Sequence, residues 1–459
     1  MPPQFAFHRL KFSCAGRLRI LPTREPSVKG KLTVLMITAF VDMLGLIIIY
    51  PLLPFYAEKL GANAAMVGAL IAAFSVAQLV AAPVWGWLSD RYGRRPAILV
   101  GLLLSAVAYV IFAFASSMWL LFLSRIVQGL GGGTIGVVQA YVSDVSDTKD
   151  RAKMLGWLSA VTSLGAVIGP AIGSMLVRFG GHTAPGLGSA ALCLLVSGFA
   201  WKFLKESRGT NTMEMAVAVS HTSGTGAIRR VLSHPDDPAT RLIWIYAIAI
   251  GAFYGTTAIL PLVLADRLGV NELNVGYFIM YLGGIGVIVR TGILGRMIEW
   301  LGEARLCRLG LVLLAAGLAL VAAIHSYPMM FLSFTLMPLG TAFIFPAVTA
   351  MLSRVVSKSE RGLYMGVQHT FGGLSRVSFP LATGYAMDRV GNSVPYLVAG
   401  GLVLVSLVLT SSMESYAQPP SSTPNPEPPP TPPAETSPVL EPTTPAQPLP
   451  VAQPREASH

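Results

Sequence analysis

Twelve times the chain runs apolar for about twenty residues, the length an α-helix needs to cross a bilayer. The runs fall near 32–57, 65–88, 96–116, 118–143, 153–177 and 184–204. After a polar stretch, roughly 205–240, six more follow near 241–265, 274–298, 306–325, 328–353, 363–387 and 393–413. Hydrocarbon offers no water to the backbone, so each run must satisfy its own N–H and C=O groups, as a helix does. Only 12% of the residues are charged, against roughly a quarter in a soluble chain. The expected fold is an all-α membrane protein with twelve transmembrane helices in two six-helix bundles.

Positive charge orients the spans. With the N-terminus inside, Lys59, Arg178, Arg267 and Arg389 fall in outside loops, and Arg125, Arg290 and Arg376 fall within spans. The remaining Lys and Arg residues collect on the inner side, the bias of cytoplasmic loops. That placement accounts for the net charge of +11 without nucleic acid as a partner. Both tails and the middle loop are then cytoplasmic, and the protein is a multi-pass component of the cell (plasma or inner) membrane.

The organisation reads as five parts: a basic N-terminal tail (1–31), a first six-helix bundle (32–204), a cytoplasmic linker (205–240), a second bundle (241–413) and a proline-rich tail (414–459). The first part lacks the apolar core and cleavage site of a signal peptide. The last is dense in Pro with Ser, Thr and Glu, cannot bury a core, and is biased to polyproline II. It reads either as an inert tail or as a ligand for a proline-motif-binding protein. Cys14, Cys193 and Cys307 are scattered, without disulfide or metal spacing. No cofactor or metal is expected, and no nucleophile–base cluster marks an enzyme.

The halves repeat. A shift of about 210 residues carries Arg151 onto Arg361, Gly156 onto Gly366 and Pro170 onto Pro380. Between spans 2 and 3 lies a dense charged stretch from Gly86, G-W-L-S-D-R-Y-G-R-R-P-A-I-L, with a worn copy from Gly295 to Gly302 that keeps an acid at Glu299. It reads as a tight loop, with Gly86 permitting close helix approach and Gly93 a sharp turn. A two-half membrane chain with internal repeats points to a transporter built around a central site.

Three spans carry residues out of place in lipid. Span 4 reads L-S-R-I-V-Q-G-L-G-G-G, with Arg125 and Gln128; a buried arginine is costly and needs a partner or water. Its glycines suit close packing. Span 5 spaces Gly156, Gly165, Gly169, Pro170 and Gly173 along one helix, and Pro170 bends it. Span 1 reads V-D-M-L-G-L-I-I-I-Y-P-L-L-P, where Asp42 lies about 15 Å deep at 1.5 Å per residue. Arg125 falls within about 5 Å of the same depth for a core of about 30 Å. Burial favours a neutral carboxyl and a nearby arginine a charged one, so the pair suits a group that takes and releases a proton. A fixed structural salt bridge is the competing reading.

These four motifs resemble those of the major facilitator superfamily, within it the drug/proton antiporters that include the tetracycline efflux proteins. The resemblance covers about residues 32–413. It implies that Asp90 caps a helix of the second half, that Arg94 pairs with Asp144, and that with Gly86, Arg91, Gly93 and Arg95 they form a gating loop. It links Arg125 to proton handling, and associates Gly156, Gly165, Gly169, Pro170 and Gly173 with exporters that exchange drug for proton. The expected function is secondary active export of small amphipathic molecules by alternating access, coupled to protons through Asp42 and Arg125. Candidate substrate contacts are Gln128, Arg290 and Arg376. Tyr50, Phe55, Trp244, Tyr246, Phe253 and Tyr254 read either as cavity lining or as packing. The expected partners are a small-molecule substrate, protons and membrane lipid. No deep acid falls in spans 7–12, so the second-half proton sites of tetracycline exporters lack matches. The competitors are a carrier of a sugar or organic anion, and a non-transporting sensor or scaffold.

Overall fold

The computed structural model describes residues 28–147, 149–206, 224–411 and 413–414. The basic stretch before residue 28, the middle of the expected linker and the proline-rich tail lie outside them. Among the described residues the chain is helical, with no strand.

The first half opens with α1 (Val28–Ile49), which ends just before Pro51, and resumes as α2 (Leu53–Lys59). Then come α3 (Ala64–Tyr92), α4 (Arg94–Ala113), α5 (Met118–Gly131) with α6 (Thr134–Val145), α7 (Arg151–Gly180) and α8 (Ala184–Phe203). α5 and α6 are one pass broken at Gly132 and Gly133, where glycines leave the helix without side-chain support. Part of the expected linker is helical: α9 (Gly224–Ser233) buries Ala227 and Val231 and packs on the next helix.

The second half runs α10 (Pro238–Leu268), α11 (Val275–Ile288), a π turn (Val289–Ile293), α12 (Leu294–Ala322), α13 (Tyr327–Val355), α14 (Arg361–Val390) and α15 (Val394–Val405), which tightens to a 3-10 turn (Ser406–Thr410). α12 doubles back at Gly302, whose φ of 73° is open to glycine, so one continuous stretch makes two passes. Nine helical stretches among the described residues are long and apolar enough to cross a membrane. The stretch folded at Gly302 counts twice. α14 is too polar for that count, carrying Gln368, His369, Ser375 and Arg376, and α15 with its 3-10 turn is short. Adding both gives the twelve passes expected.

Each half has its own packing. In the first, α1 lies on α7 and α8, and α4 on α5 and α8. In the second, α12 lies on α13 and α15, and α10 on α13 and α14. The halves meet mainly through α3 with α14 and α7 with α11, with smaller contacts of α10 on α2 and α3.

Candidate functional site

The charged stretch is tighter than a loop. α3 stays helical through Tyr92 and α4 begins at Arg94, so Gly93 alone (φ 103°) makes the turn. That φ favours glycine, and a Cβ there would also lie 2.4 Å from a Glu206 carboxylate oxygen and push that side chain aside. Glu206 accepts from the backbone N–H groups of Arg94 and Arg95 at 2.9 and 3.1 Å, holding a carboxylate at the positive end of α4. The expected Arg94–Asp144 pair is present: Arg94 Nε meets Asp144 Oδ2 at 3.2 Å, while Nη1 reaches Asp90 at 2.8 Å and Ser89 Oγ at 2.6 Å. Asp90 is thus bonded inside its own half. Arg91 lies over the rings of Trp87 and Tyr92, and Arg95 donates to the Trp201 carbonyl. Gly86 departs from its expected role: no atom lies within 4 Å of where its Cβ would be, so no helix approaches there.

At the opposite end of the same helices the halves are bolted together. The Asp388 carboxylate, near the end of α14, accepts from the backbone N–H groups of Ala64 and Ala65 at 3.0 and 2.8 Å. Those are the first N–H groups of α3, which lack partners within their own helix. The backbones touch: a Cβ on Gly68 would sit 2.1 Å from the Pro380 carbonyl oxygen, and one on Gly384 2.4 Å from that of Ala64. The α7–α11 pair is closed in the same way. A Cβ on Gly276 would sit 1.9 Å from the Pro170 carbonyl oxygen, and Ser174 Oγ accepts from Gly276 N and donates to the Glu272 carbonyl. Lys59 pairs with Glu272 at 2.6 Å beside His182. Toward the charged stretch the pairs part. Leu79 still meets Gly373 and Val167 still meets Gly283, but Gly156, Gly292, Gly295, Gly362 and Gly366 have nothing within 4 Å.

The glycines of span 5 therefore divide. Gly165, Gly169 and Gly173 form a stripe against α1, where their Cβ positions would lie 2.8 Å from the Phe40 oxygen, 3.2 Å from Ile47 Cβ and 2.3 Å from the Ile48 oxygen. Gly156 faces open space.

Asp42 and Arg125 share a region but form no ion pair among the described residues. Asp42 lines a cavity of about 520 Å³ with Thr38, Gln139, Ser143 and Thr162, and a smaller one with Tyr109 and Gln128. Arg125 lies over the Phe112 ring at 5.2 Å with Nε on Ser124 Oγ, and its Nη2 is buried without a partner. Gln128 donates to Tyr109 OH at 3.1 Å, which places it with Asp42 rather than with the other candidate substrate contacts.

Of those contacts, Arg290 lines a cavity of about 240 Å³ between the halves, walled by α1, α7, α10, α11 and α13; Arg376, on α14, is not part of that lining. Tyr50, Phe253 and Tyr254 line it, as does Arg290 from the π turn. The Arg376 guanidinium stands 5.0 Å from the Tyr254 ring centre.

Reading the sequence missed Asp388 and Glu206. A signal for Asp388 exists: G-Y-A-M-D-R-V-G at 384–391 repeats the pattern of G-W-L-S-D-R-Y-G at 86–93, and Gly391 turns with φ 111° as Gly93 does with φ 103°. Glu206 has no comparable signature; only the fold brings it to Gly93.

The family model of the Major Facilitator Superfamily matches residues 35–310 and 291–452. Multidrug resistance protein 2 of Bacillus subtilis (strain 168) is 28% identical over 389 residues, covering 82% of this chain and 93% of that one. Tetracycline resistance protein, class G, of Vibrio anguillarum is 31% identical over 363 residues, 74% of this chain and 86% of that one. Among solved structures, the nucleoside transporter NupG matches with a TM-score of 0.68 at 13% identity, covering 85% of this chain and 99% of that one. The human organic anion transporter MFSD10 (TETRAN) matches at 0.61 and 22%, covering 84% and 100%. Those two likenesses are of fold.

Proposed function

The chain belongs to the major facilitator superfamily, and from that premise we propose that it exports small amphipathic, drug-like molecules in exchange for protons. The observation that carries this reading is the scissoring of two helix pairs, α3–α14 and α7–α11, closed at one end and parted at the other around a cavity between the halves. One half rocking against the other would close the parted end and open the bolted one. The curated relatives named for multidrug and tetracycline resistance support export as the direction.

Residues 32–204 and 241–413 act as the two rocking bundles, joined by 205–240. The positive-charge bias puts the charged stretch, and with it both tails, in the cytoplasm. The cavity is then open to the cell interior in this conformation. Asp388 holds the outer gate by capping α3. In the other conformation Asp90 does the same for α14, whose N-terminus lies at the cytoplasmic end. The Arg94–Asp144 pair sets the position of Asp90. No bond is broken, so the protein is a transporter and not an enzyme.

Asp42 carries the coupled proton. It lies on the larger cavity and makes no ion pair with Arg125 among the described residues; the Arg125 guanidinium lies on Phe112 and Ser124 instead, which argues against a fixed salt bridge. Arg125 acts from a distance, through the cluster of Tyr109 and Gln128. The test is Asp42→Asn in proteoliposomes with an imposed pH gradient. Gradient-driven exchange is expected to fall by roughly tenfold or more, as for a residue on a proton pathway. Binding, measured without a gradient, is expected to persist. Undiminished exchange would overturn the assignment.

A further inference from the structure

The cavity between the halves carries one sign of charge. Arg290 lines it from the π turn, a local insertion that shifts the register of a helix and is frequent at functional sites. Arg376 adds a second cation behind the Tyr254 ring. No Asp or Glu lines this cavity among the described residues; the deep acid, Asp42, faces separate cavities within the first half.

Three other arginines of the described chain are held by partners. Arg94 holds Asp90, Asp144 and Ser89. Arg267 donates to the Val321 and Ala322 carbonyls and to Ser393 Oγ. Arg308 meets Glu414 and Thr410. Arg290 and Arg376 make neither a hydrogen bond nor an ion pair among the described residues, and Arg376 Nε is buried without a partner. A cation at membrane depth is costly unless an anion, a carbonyl or water meets it. An exposed cation on the cavity wall, and a second one behind the Tyr254 ring whose buried Nε has no partner, suit an anionic group attached to an apolar body.

We propose that the transported molecules are amphipathic organic anions. Their carboxylate or sulfonate is held by Arg290 on the wall, with Arg376 adding positive charge from behind the Tyr254 ring, and their aromatic or apolar body lies against Phe253, Tyr254 and Phe345. Lipophilic cations are the less favoured cargo, because no carboxylate lines the wall among the described residues to receive them. This rests on the export reading above and names its substrate class.

Three fluorescent probes with a common ring system test it on the full-length protein: dansylglycine (anion), dansylamide (neutral) and dansylcadaverine (cation). Binding is measured on the purified protein, and transport in proteoliposomes under a pH gradient. Dansylglycine is expected to bind roughly tenfold or more tighter than either other probe, the worth of a charge-assisted contact in a buried site. Arg290→Gln and Arg376→Gln are each expected to bring the anion-to-neutral ratio close to one, and Arg376→Lys to restore part of it. Arg290 lies at the exposed face of the cavity, so its variant decides the matter if Arg376→Gln does not fold. Gradient-driven transport of the cation in preference to the anion would overturn the charge class while leaving the export reading intact. If none of the three binds or moves, this proposal falls together with the reading beneath it.

Discussion

The two ends of the α3–α14 pair carry the same local sequence and do opposite things. Each helix ends in glycine, three residues, Asp-Arg, one residue and a glycine that turns with positive φ: 86–93 on α3 and 384–391 on α14. At one end Asp388 reaches across and caps α3, with the backbones close enough that Gly68 and Gly384 have no room for a Cβ. At the other end Asp90 is tied to Arg94 of its own half, and Gly86, Gly362 and Gly366 face open space. The difference is therefore one of state and not of sequence. A device repeated at both ends of two crossing helices can be engaged at only one end at a time if the halves rock as rigid bodies. The α7–α11 pair parts in the same sense, closed at Gly276 and open at Gly156, and α7 ends without the Asp-Arg pattern that closes α3 and α14. The glycines supply the fit, and the carboxylates of α3 and α14 supply the bias.

The largest effect is expected from adding one methyl group at the closed end. Gly68→Ala and Gly276→Ala each put a Cβ where a backbone oxygen already lies 2.1 or 1.9 Å away. Overpacking of this kind costs about 1–3 kcal/mol, and only the closed conformation bears that cost. The closed population should fall roughly ten- to a hundredfold. Spin labels on the exposed Met66 and Tyr385, read by pulsed dipolar spectroscopy, would show the short distance giving way to a long one. A distance distribution that does not move would break the claim that these glycines hold the end shut.

That result bears on how much was legible beforehand. Span length and charge alone were enough for the twelve passes, because hydrocarbon leaves the backbone little choice but helix. The Arg94–Asp144 pair could be anticipated because both residues sit in a recognisable motif. Gly86 could not be placed correctly: its freedom to pack closely is real, but whether a helix approaches depends on which end of the molecule is closed. Nor does depth decide contact. Asp42 and Arg125 fall at similar depths, yet the ring of Phe112 takes the guanidinium and the carboxyl turns to a cavity. The sequence offers Gln128 as a substrate contact, and the fold sets it on the small cavity with Asp42 through its bond to Tyr109. Glu206 was invisible because it acts through the backbone of residues more than a hundred positions away, and a cap of that kind leaves no spacing to find.

Intermediate effects of opposite sign are expected from the two acids. Asp388→Asn keeps a carbonyl oxygen near the α3 N-terminus but removes the charge that complements its dipole, worth about 0.5–1 kcal/mol. The Met66–Tyr385 short-distance population should fall two- to fivefold, by roughly the factor that energy implies. Asp90→Asn removes a charge that works in the other conformation, so the same population should rise by a comparable factor. Transport should slow in both variants, since either bias lengthens one step of the cycle. If both substitutions shift the labels in the same direction, the two motifs are not counterparts.

The smallest effect should come from the same methyl group placed at the parted end. Gly156 has no atom within 4 Å of its Cβ position, so Gly156→Ala meets nothing in this conformation. It also replaces glycine by a better helix former near the start of α7, a gain of up to about 1 kcal/mol. The thermal midpoint should therefore hold or rise slightly, and the Met66–Tyr385 distances should stay as in the wild type. Turnover is the discriminating measurement. If rocking brings the parted end of α7 against α11 as tightly as Gly276 now lies against Pro170, the methyl group must collide there, and the transport rate should fall while stability does not. A variant that transports at the wild-type rate would mean that the parted end closes more loosely than the bolted one. The symmetry between the ends would then extend to the α3–α14 acids but not to the glycines of α7.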